Sequence, residues 1–430
     1  MESKTREIYR DNFTEYVLCL ALDVGEGMLK NGGEVARVED TIERICRAYG
    51  AVHVEVFTII SMINAAIRMP DGSYSSQLRR VKQTGNNLGM LERLNALSRE
   101  ICATTPELDV FDMKLRELKR ERPYPLSVQI AASAIGAAMF CLFFGGGLLD
   151  SLITLVIGVV ISLIMNFSSP RLNQMAKTVV SSFVAALLAG AVNMLSPLVN
   201  VDSIIIGAIM LLVPGLVFGT AMRDLLCGDL VAGALKILQA VLQTLMIGFG
   251  YMLAYALLGN NLLPTPTETG GEYLAVQLIT AVMSSVAFAV VFKTHKRHLI
   301  TVAACGLLTF ASYYFVDVMA SSLFWAAFIS SAVAALFSEI VARVRKMPAV
   351  VVLMPSVIST VPGGYLYRAA RDFTYGSTAT AWSHLAAAAA VALGIAGGIV
   401  VVTMLFGLVK DKLTKNKENK VKCKETLTNT

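Results

Sequence analysis

The sequence predicts a polytopic α-helical membrane protein, with ten transmembrane helices as two inverted five-helix repeats behind a small α/β or α+β N-terminal soluble domain. Three observations predict it: apolar residues gathered into runs of about 20, one string that occurs twice at a fixed displacement, and basic residues confined to alternate loops. Hydrophobic residues make up 55% of the chain, charged residues only 16%, and the mean hydropathy is +0.62. A soluble average is far from these values.

Residues 1–125 hold 18 Lys+Arg and 19 Asp+Glu, a nearly neutral balance that reads as a soluble domain. Val35, Val38, Ile42, Ile45 and Tyr49 recur with helical period after the Asn31-Gly32-Gly33 break. Val52, Val54 and Val56 alternate with His53, Glu55 and Phe57, the pattern of a half-buried strand. An apolar stretch, Phe57–Met69, leads to the Pro70-Asp71-Gly72 turn, and helical patterns resume at Leu88–Cys102 and Leu108–Glu121. His53 has no Cys or second His nearby and reads as a strand-surface residue.

From Leu126 to Val409 the chain is a series of apolar runs long enough to cross the hydrocarbon core. The predicted spans are 126–144, 148–167, 175–195, 201–222, 229–258, 273–292, 298–316, 319–342, 349–367 and 379–409. This divides the chain into a soluble domain (1–125), a first five-helix unit (126–258), a second (273–409) and a basic tail (410–430). With the N-terminal domain in the cytoplasm, the predicted inner loops carry Arg171, Lys177, Lys293, Lys296, Arg297, Arg343, Arg345 and Lys346. The outer loops carry Asp150, Asp202, Glu268, Glu272 and Asp317. Only Arg368 and Arg371 break the positive-inside rule. The expectation is a multi-pass bacterial cell-membrane protein with both termini cytoplasmic and, lacking an apolar h-region, no cleavable signal peptide.

The net charge of +6 comes from loops and tail, which excludes a nucleic-acid-binding face. Seven cysteines show neither CxxC nor zinc spacing, so reduced thiols and no metal or cofactor are expected. The absence of a Walker P-loop argues against ATP-driven transport.

The repeated string is Val-Pro-Gly, seven residues, Arg-Asp, three residues, Gly: Val213, Pro214, Gly215, Arg223, Asp224, Gly228, then Val361, Pro362, Gly363, Arg371, Asp372, Gly376, displaced by 148. Of the 12 prolines, these two alone precede glycine, and the same shift places Gln129 on Gln277. The chain therefore carries an internal duplication. Five spans per repeat is odd, so the second copy enters the membrane from the opposite side, as in many secondary transporters. Proline in spans four and nine removes a donor and frees the carbonyls of Met210 and Ile358, while glycine permits close approach. Freed groups in lipid need internal partners or a cavity, and half-helix ends suit a zwitterion. Pro214, Gly215, Pro362 and Gly363 are thus candidates for substrate binding or helix breaking.

Lys236, Gln239 and Gln243 align on one face of span five, and Lys236 maps onto His384 under the shift. Arg223, Asp224, Arg371, Asp372 and His384 are candidates for gate or coupling. As proton carrier, Asp224, Asp372 or His384 is expected. Glu339 and Arg343 read as a surface pair, and Gly215/Gly219 and Gly394/Gly398 as packing positions.

The run Leu29-Lys30-Asn31-Gly32-Gly33-Glu34-Val35-Ala36-Arg37-Val38-Glu39-Asp40-Thr41-Ile42, followed by Gly50 and the valine-rich strand, resembles the threonine/serine exporter family. So do Arg122-Pro123-Tyr124-Pro125 before span one, Gly145-Gly146-Gly147, and the two Pro-Gly…Arg-Asp strings, and the likeness spans about residues 13–410. The resemblance implies proton-driven export of small polar metabolites, threonine and serine in some members and dicarboxylates such as succinate in split ones. A dicarboxylate is the alternative substrate, disfavoured by the few cations in the spans. A membrane-anchored enzyme with its site in the soluble domain is the alternative of another class. The duplication argues against it, no Ser/His/Asp or Cys/His constellation supports it, and no enzyme activity is expected. Partners are then the substrate, the proton and the bilayer, with room for a homo-oligomer. At fold level the ten-span plan resembles the bile-acid and sodium–proton transporters, which implies that spans four and nine cross near Pro214 and Pro362.

Overall fold

A computed structural model describes residues 12–82, 85–120, 124–167, 172–196, 198–215, 217, 220, 221, 224, 225, 228–259 and 274–428, with 409–428 as backbone only. The soluble domain is built from α1 (Phe13–Lys30), α2 (Val35–Ala48), β1 (His53–Ile59), β2 (Met62–Arg68), β3 (Tyr74–Arg80), α3 (Leu88–Thr104) and α4 (Leu108–Arg120). Asn12 caps α1 by accepting from the Glu15 amide, and Gly32, at φ 90°, ends it in a left-handed conformation. The strands form an antiparallel sheet in the order β1-β2-β3, pairing Val54 with Ile67 and Ala65 with Gln77. Alternate residues Ile63, Ala65 and Ile67 of β2 are buried beneath the helices. They share a core with Leu18, Leu22, Ile42, Leu88 and Phe111. An antiparallel sheet with helices before and after it is an α+β arrangement.

The membrane part comprises α5 (Leu126–Phe143), α6 (Leu148–Phe167), α7 (Gln174–Leu195), α8 (Val201–Ile209), α9 (Leu230–Leu258), α10 (Leu274–Val291), α11 (Leu299–Ala320), α12 (Leu323–Arg345), α13 (Val350–Ser356), α14 (Gly363–Thr374) and α15 (Thr378–Thr428). Among the described residues, 8 helices are each long and apolar enough to span a membrane, and α13 with the segment Ile358–Thr374 makes a ninth, bent by 41°. The predicted span over 201–222 begins as α8, ends at Ile209, and is interrupted before Gly215, where the sequence predicts a proline break. Beyond it, Gly215, Val217, Thr220, Ala221, Asp224 and Leu225 are helical. Arg171, Arg223, Glu268 and Glu272 lie outside the described residues.

Helix starts recur at the displacement of the repeated string: Leu126 and Leu274, Leu230 and Thr378. Packing partners recur with them. The α5–α6 pair matches α10–α11, the α7–α9 pair matches α12–α15, and α5 packs on α10 across the two units. Glycines allow the close pairs. A Cβ on Gly250 would lie 2.5 Å from the Val179 carbonyl, and one on Gly394 2.5 Å from that of Phe324.

The soluble domain docks on the basic loops of the second unit. The Leu88 amide donates to the Phe292 carbonyl (2.9 Å), and the Tyr124 hydroxyl to that of Thr294 (2.8 Å). Glu92, buried on α3, pairs with Arg297 and lies 3.0 Å from His298 Nε2; Arg345 Nη1 reaches His298 Nδ1 at 3.1 Å. Burial alone would push the Glu92 carboxyl up, but hydrogen bonds from His298 and Arg297 hold it below the usual carboxylate range.

Candidate functional site

The two Val-Pro-Gly strings form the same local structure. In each, the glycine amide returns to the valine carbonyl across the proline: Gly215 to Val213 at 2.9 Å and Gly363 to Val361 at 2.8 Å. Val361 is extended (φ −63°, ψ 135°), as a residue before proline must be. The breaks also face each other. A Cβ on Gly215 would lie 3.3 Å from Ile358 Cδ1, and one on Gly363 2.6 Å from Met210 Sδ, each in the opposite repeat. Val213, Pro214, Gly215, Val361 and Pro362 line one cavity of about 590 Å³.

Of the two carbonyls expected to be freed, that of Ile358 finds an internal partner. Ile358 accepts from the Val361 amide at 3.4 Å, closing a turn. Gln243 Nε2 donates to the Leu212 carbonyl at 2.8 Å, so this side chain braces the first break from α9. Gln239, half-buried on the same helix, lines neither this cavity nor the one described below. Among the described residues the 590 Å³ cavity is almost wholly apolar, with Thr244 its single hydroxyl and no charged wall residue. Among the described residues the cavity wall around the two prolines thus offers a zwitterion no ionic partner.

The rest of the repeated string builds one device twice. Gly228 (φ 96°) and Gly376 (φ 77°) take the left-handed conformation that ends a helix. The next amide returns to the aspartate carbonyl, Asp229 to Asp224 at 3.0 Å and Ser377 to Asp372 at 2.9 Å. The chain reverses and sets each aspartate against the nitrogenous side chain twelve residues on. Lys236 Nζ lies 2.5 Å from Asp224 Oδ2, and His384 Nε2 lies 3.5 Å from Asp372 Oδ2. Asp224 and Asp372 are 1% and 6% exposed; with Lys236 at 7% the first pair is interior, whereas His384 is only half-buried.

The two copies differ in what else they hold. Asp224 Oδ1 accepts from the Val35 amide at 3.3 Å, the first N–H of α2, whose own N-cap residue Glu34 makes no side-chain capping bond. The first repeat is thereby tied to the soluble domain by a cap supplied from the membrane part. Asp372 takes Arg371 (Nε 2.9 Å), whose Nη1 reaches Asp202 of α8 at 2.6 Å. Beside this pair Tyr251 shares a 2.6 Å hydrogen bond with Tyr375 and packs edge-on against Tyr367. Asp202 and these tyrosines were not expected at a site. The available signal was Arg371 itself: an arginine on the wrong side of the positive-inside rule needs an acid, and Asp202 is one.

A second cavity, of about 280 Å³, adjoins the second break. Its walls include Gln277, Asp317, Ser359, Thr360, Tyr365 and Arg368. Tyr365 also lies against His384, with ring centroids 6.4 Å apart. Glu339 and Arg343 form the expected helix-surface pair at 3.0 Å.

The family model described as "Putative threonine/serine exporter" matches residues 19–258, and that described as "Threonine/Serine exporter, ThrE" matches 277–405. "Threonine/serine exporter" of Corynebacterium glutamicum is 23% identical over 404 residues, covering 89% of this chain and 81% of that protein. "Pheromone-regulated membrane protein 10" of Pichia sorbitophila is 24% identical over 298 residues, 65% of this chain; the chain spans 29% of that protein's length. "Probable succinate transporter subunit YjjP" of Klebsiella aerogenes is 26% identical over 236 residues, 54% of this chain and 90% of that protein. No solved structure matches. The first family model alone covers more than half of the 430 residues, and the chain belongs to the threonine/serine exporter family.

Proposed function

We propose that this protein is a secondary transporter that exports small polar metabolites, threonine and serine foremost, across the bacterial cell membrane at the expense of the proton gradient. One observation carries the reading. The two Val-Pro-Gly breaks pack against each other, and each is followed by an aspartate set against a nitrogenous side chain across a glycine-capped reversal. A hinge duplicated in sequence and joined at its centre is what alternating access by two units requires. On this reading the spans number ten, 201–222 being the fourth. The two five-helix units are inverted, and both termini lie in the cytoplasm. The docking of the soluble domain on loops bearing Lys293, Lys296, Arg297 and Arg345 supports that side as cytoplasmic.

The aspartates then act at opposite faces. Asp224 with Lys236 closes the cytoplasmic side beneath the soluble domain, while Asp372 with His384, Arg371 and Asp202 closes the outer side. The coupling group is assigned to the set Asp224, Asp372 and His384. Arg223, adjoining Asp224, is placed with the inner gate by its position in the string. Succinate is the second reading, favoured by the printed name of the Klebsiella relative.

The test is reconstitution in proteoliposomes with labelled threonine, serine and succinate. Threonine or serine counterflow, accelerated into the acidic compartment by an imposed pH gradient, is expected. Succinate counterflow without amino-acid flux overturns the substrate assignment. Flux that ignores the pH gradient in the wild type overturns the coupling.

A further inference from the structure

We propose that the 280 Å³ cavity beside the second break is the binding site for an α-amino acid, with Arg368 taking the carboxylate, Asp317 the ammonium, and Ser359 and Thr360 supplying hydroxyls. The inference rests on the exporter reading above and names the site that reading lacks.

Four observations carry it. First, the cavity holds one full positive and one full negative charge, Arg368 and Asp317, both half-buried. Among the described residues neither forms an ion pair, whereas the neighbouring Arg371 forms two, with Asp202 and Asp372. Half-buried charges at the end of membrane helices lose solvation and need a partner, and a zwitterion supplies both at once. Second, Ser359 is 6% exposed, lines the cavity, and among the described residues its Oγ has no hydrogen-bond partner. A buried hydroxyl left unbonded is uncommon and marks a place where a ligand oxygen or nitrogen fits. Third, the volume falls below the roughly 300–1,000 Å³ of sites for drug-sized ligands, the scale of a small metabolite. Phe143, Phe144 and Phe310 complete the wall and suit a short side chain.

Fourth, the polar set belongs to one repeat only. Under the displacement that superposes the two units, Asp317 falls on Ser169, Ser359 on Leu211, Thr360 on Leu212, Tyr365 on Val217 and Arg368 on Thr220. Gln277 alone keeps its type, matching Gln129. A feature that the shared architecture required would appear in both copies, as the prolines, glycines and aspartates do. These charges appear once, beside a hinge that appears twice. Tyr365 further joins the cavity wall to His384, so an occupant lies one side chain from the Asp372 pair. The same geometry disfavours a dicarboxylate, whose second carboxylate would face Asp317.

The test is a ligand–protein cycle on the full-length protein in detergent. L-Threonine binding is measured beside two truncated analogues, 1-amino-2-propanol without the carboxylate and 3-hydroxybutyrate without the ammonium. Arg368→Gln and Asp317→Asn are each expected to weaken threonine binding about ten- to a hundred-fold, the loss of one charge-assisted contact. Arg368→Gln should leave 1-amino-2-propanol unchanged, and Asp317→Asn should leave 3-hydroxybutyrate unchanged, because each lacks the group concerned. Arg368→Lys should recover part of the threonine affinity, which a misfolded variant cannot do. Wild-type threonine counterflow with both variants binding threonine within twofold of it overturns the site and leaves the exporter reading standing. Flux of succinate alone in the wild type overturns both.

Discussion

Lys236→Met is expected to be the most destabilising single change in the membrane part, and its cost follows from the geometry. Asp224 is 1% exposed and, among the described residues, has two donors, Lys236 Nζ at 2.5 Å and the Val35 amide at 3.3 Å. Removing the ammonium leaves a buried carboxylate with one long hydrogen bond. Breaking a buried ion pair from one side costs about 3–5 kcal/mol, because the remaining charge stays desolvated. One kcal/mol moves the melting temperature by roughly 2–4 °C for 150–250 residues and by about half that for a chain of this length, so a fall of about 3–10 °C is expected. Asp224→Asn should cost less, since the amide oxygen still caps α2, and the double variant should lie above Lys236→Met rather than below it. In the second repeat His384→Ala should cost less than Lys236→Met, because His384 sits 3.5 Å away, is 28% exposed, and Arg371 still holds Asp372. The assay is thermal unfolding of the purified protein in detergent, read by tryptophan and tyrosine fluorescence. Simple addition of the two single effects in the double variant would refute the coupling of this pair.

Gly363→Ala should reduce export more than Gly215→Ala. Its new methyl meets Met210 Sδ at 2.6 Å, whereas that at Gly215 meets side chains at 3.3 Å or more; initial rates of threonine efflux at matched expression measure it. Docking of the soluble domain should weaken in acid through Glu92. Its carboxyl is held below its ordinary value of 4.5, so its contribution is complete above that value and disappears as pH falls through the lower folded-state value. Hydrogen exchange at α3 between pH 7 and 3.5 reads this, and Glu92→Gln should exchange faster at pH 7 with the acid phase removed.

The apolar runs were legible because a bilayer demands a fixed length, and the duplication because it preserved residue types at one displacement. The string's last glycine was legible as a repeat but not as a helix-ending residue, since its left-handed backbone depends on where the helix before it stops. The Asp224–Lys236 and Asp372–His384 pairs were hidden for a related reason: twelve residues of separation bring side chains together only when a reversal lies between them. In the soluble domain the apolar stretch 57–69 conceals a hairpin. Its two-residue link, Ile60-Ser61, carries none of the Asn, Asp or Gly chemistry that announces such turns. The break in span four was legible from Pro214 and Gly215, but the early end of its first helix at Ile209 was not, because the residues between are methionine, leucine and valine. Asp317 and Arg368 read as loop charges because sequence gives depth only to within a turn, and their shared cavity is formed by elements from five separate helices and a turn.

The inverted arrangement of the two five-helix units underlies every role assigned above. In a background without native cysteines, Glu268→Cys and Lys296→Cys are labelled with a membrane-impermeant maleimide, first on intact cells and then after permeabilisation. Labelling of position 268 on intact cells, and of position 296 only after permeabilisation, is the predicted result. Labelling of both positions from the same side would contradict it, because the loop between the units and the loop after the next helix would then share a face and the second unit would not be inverted.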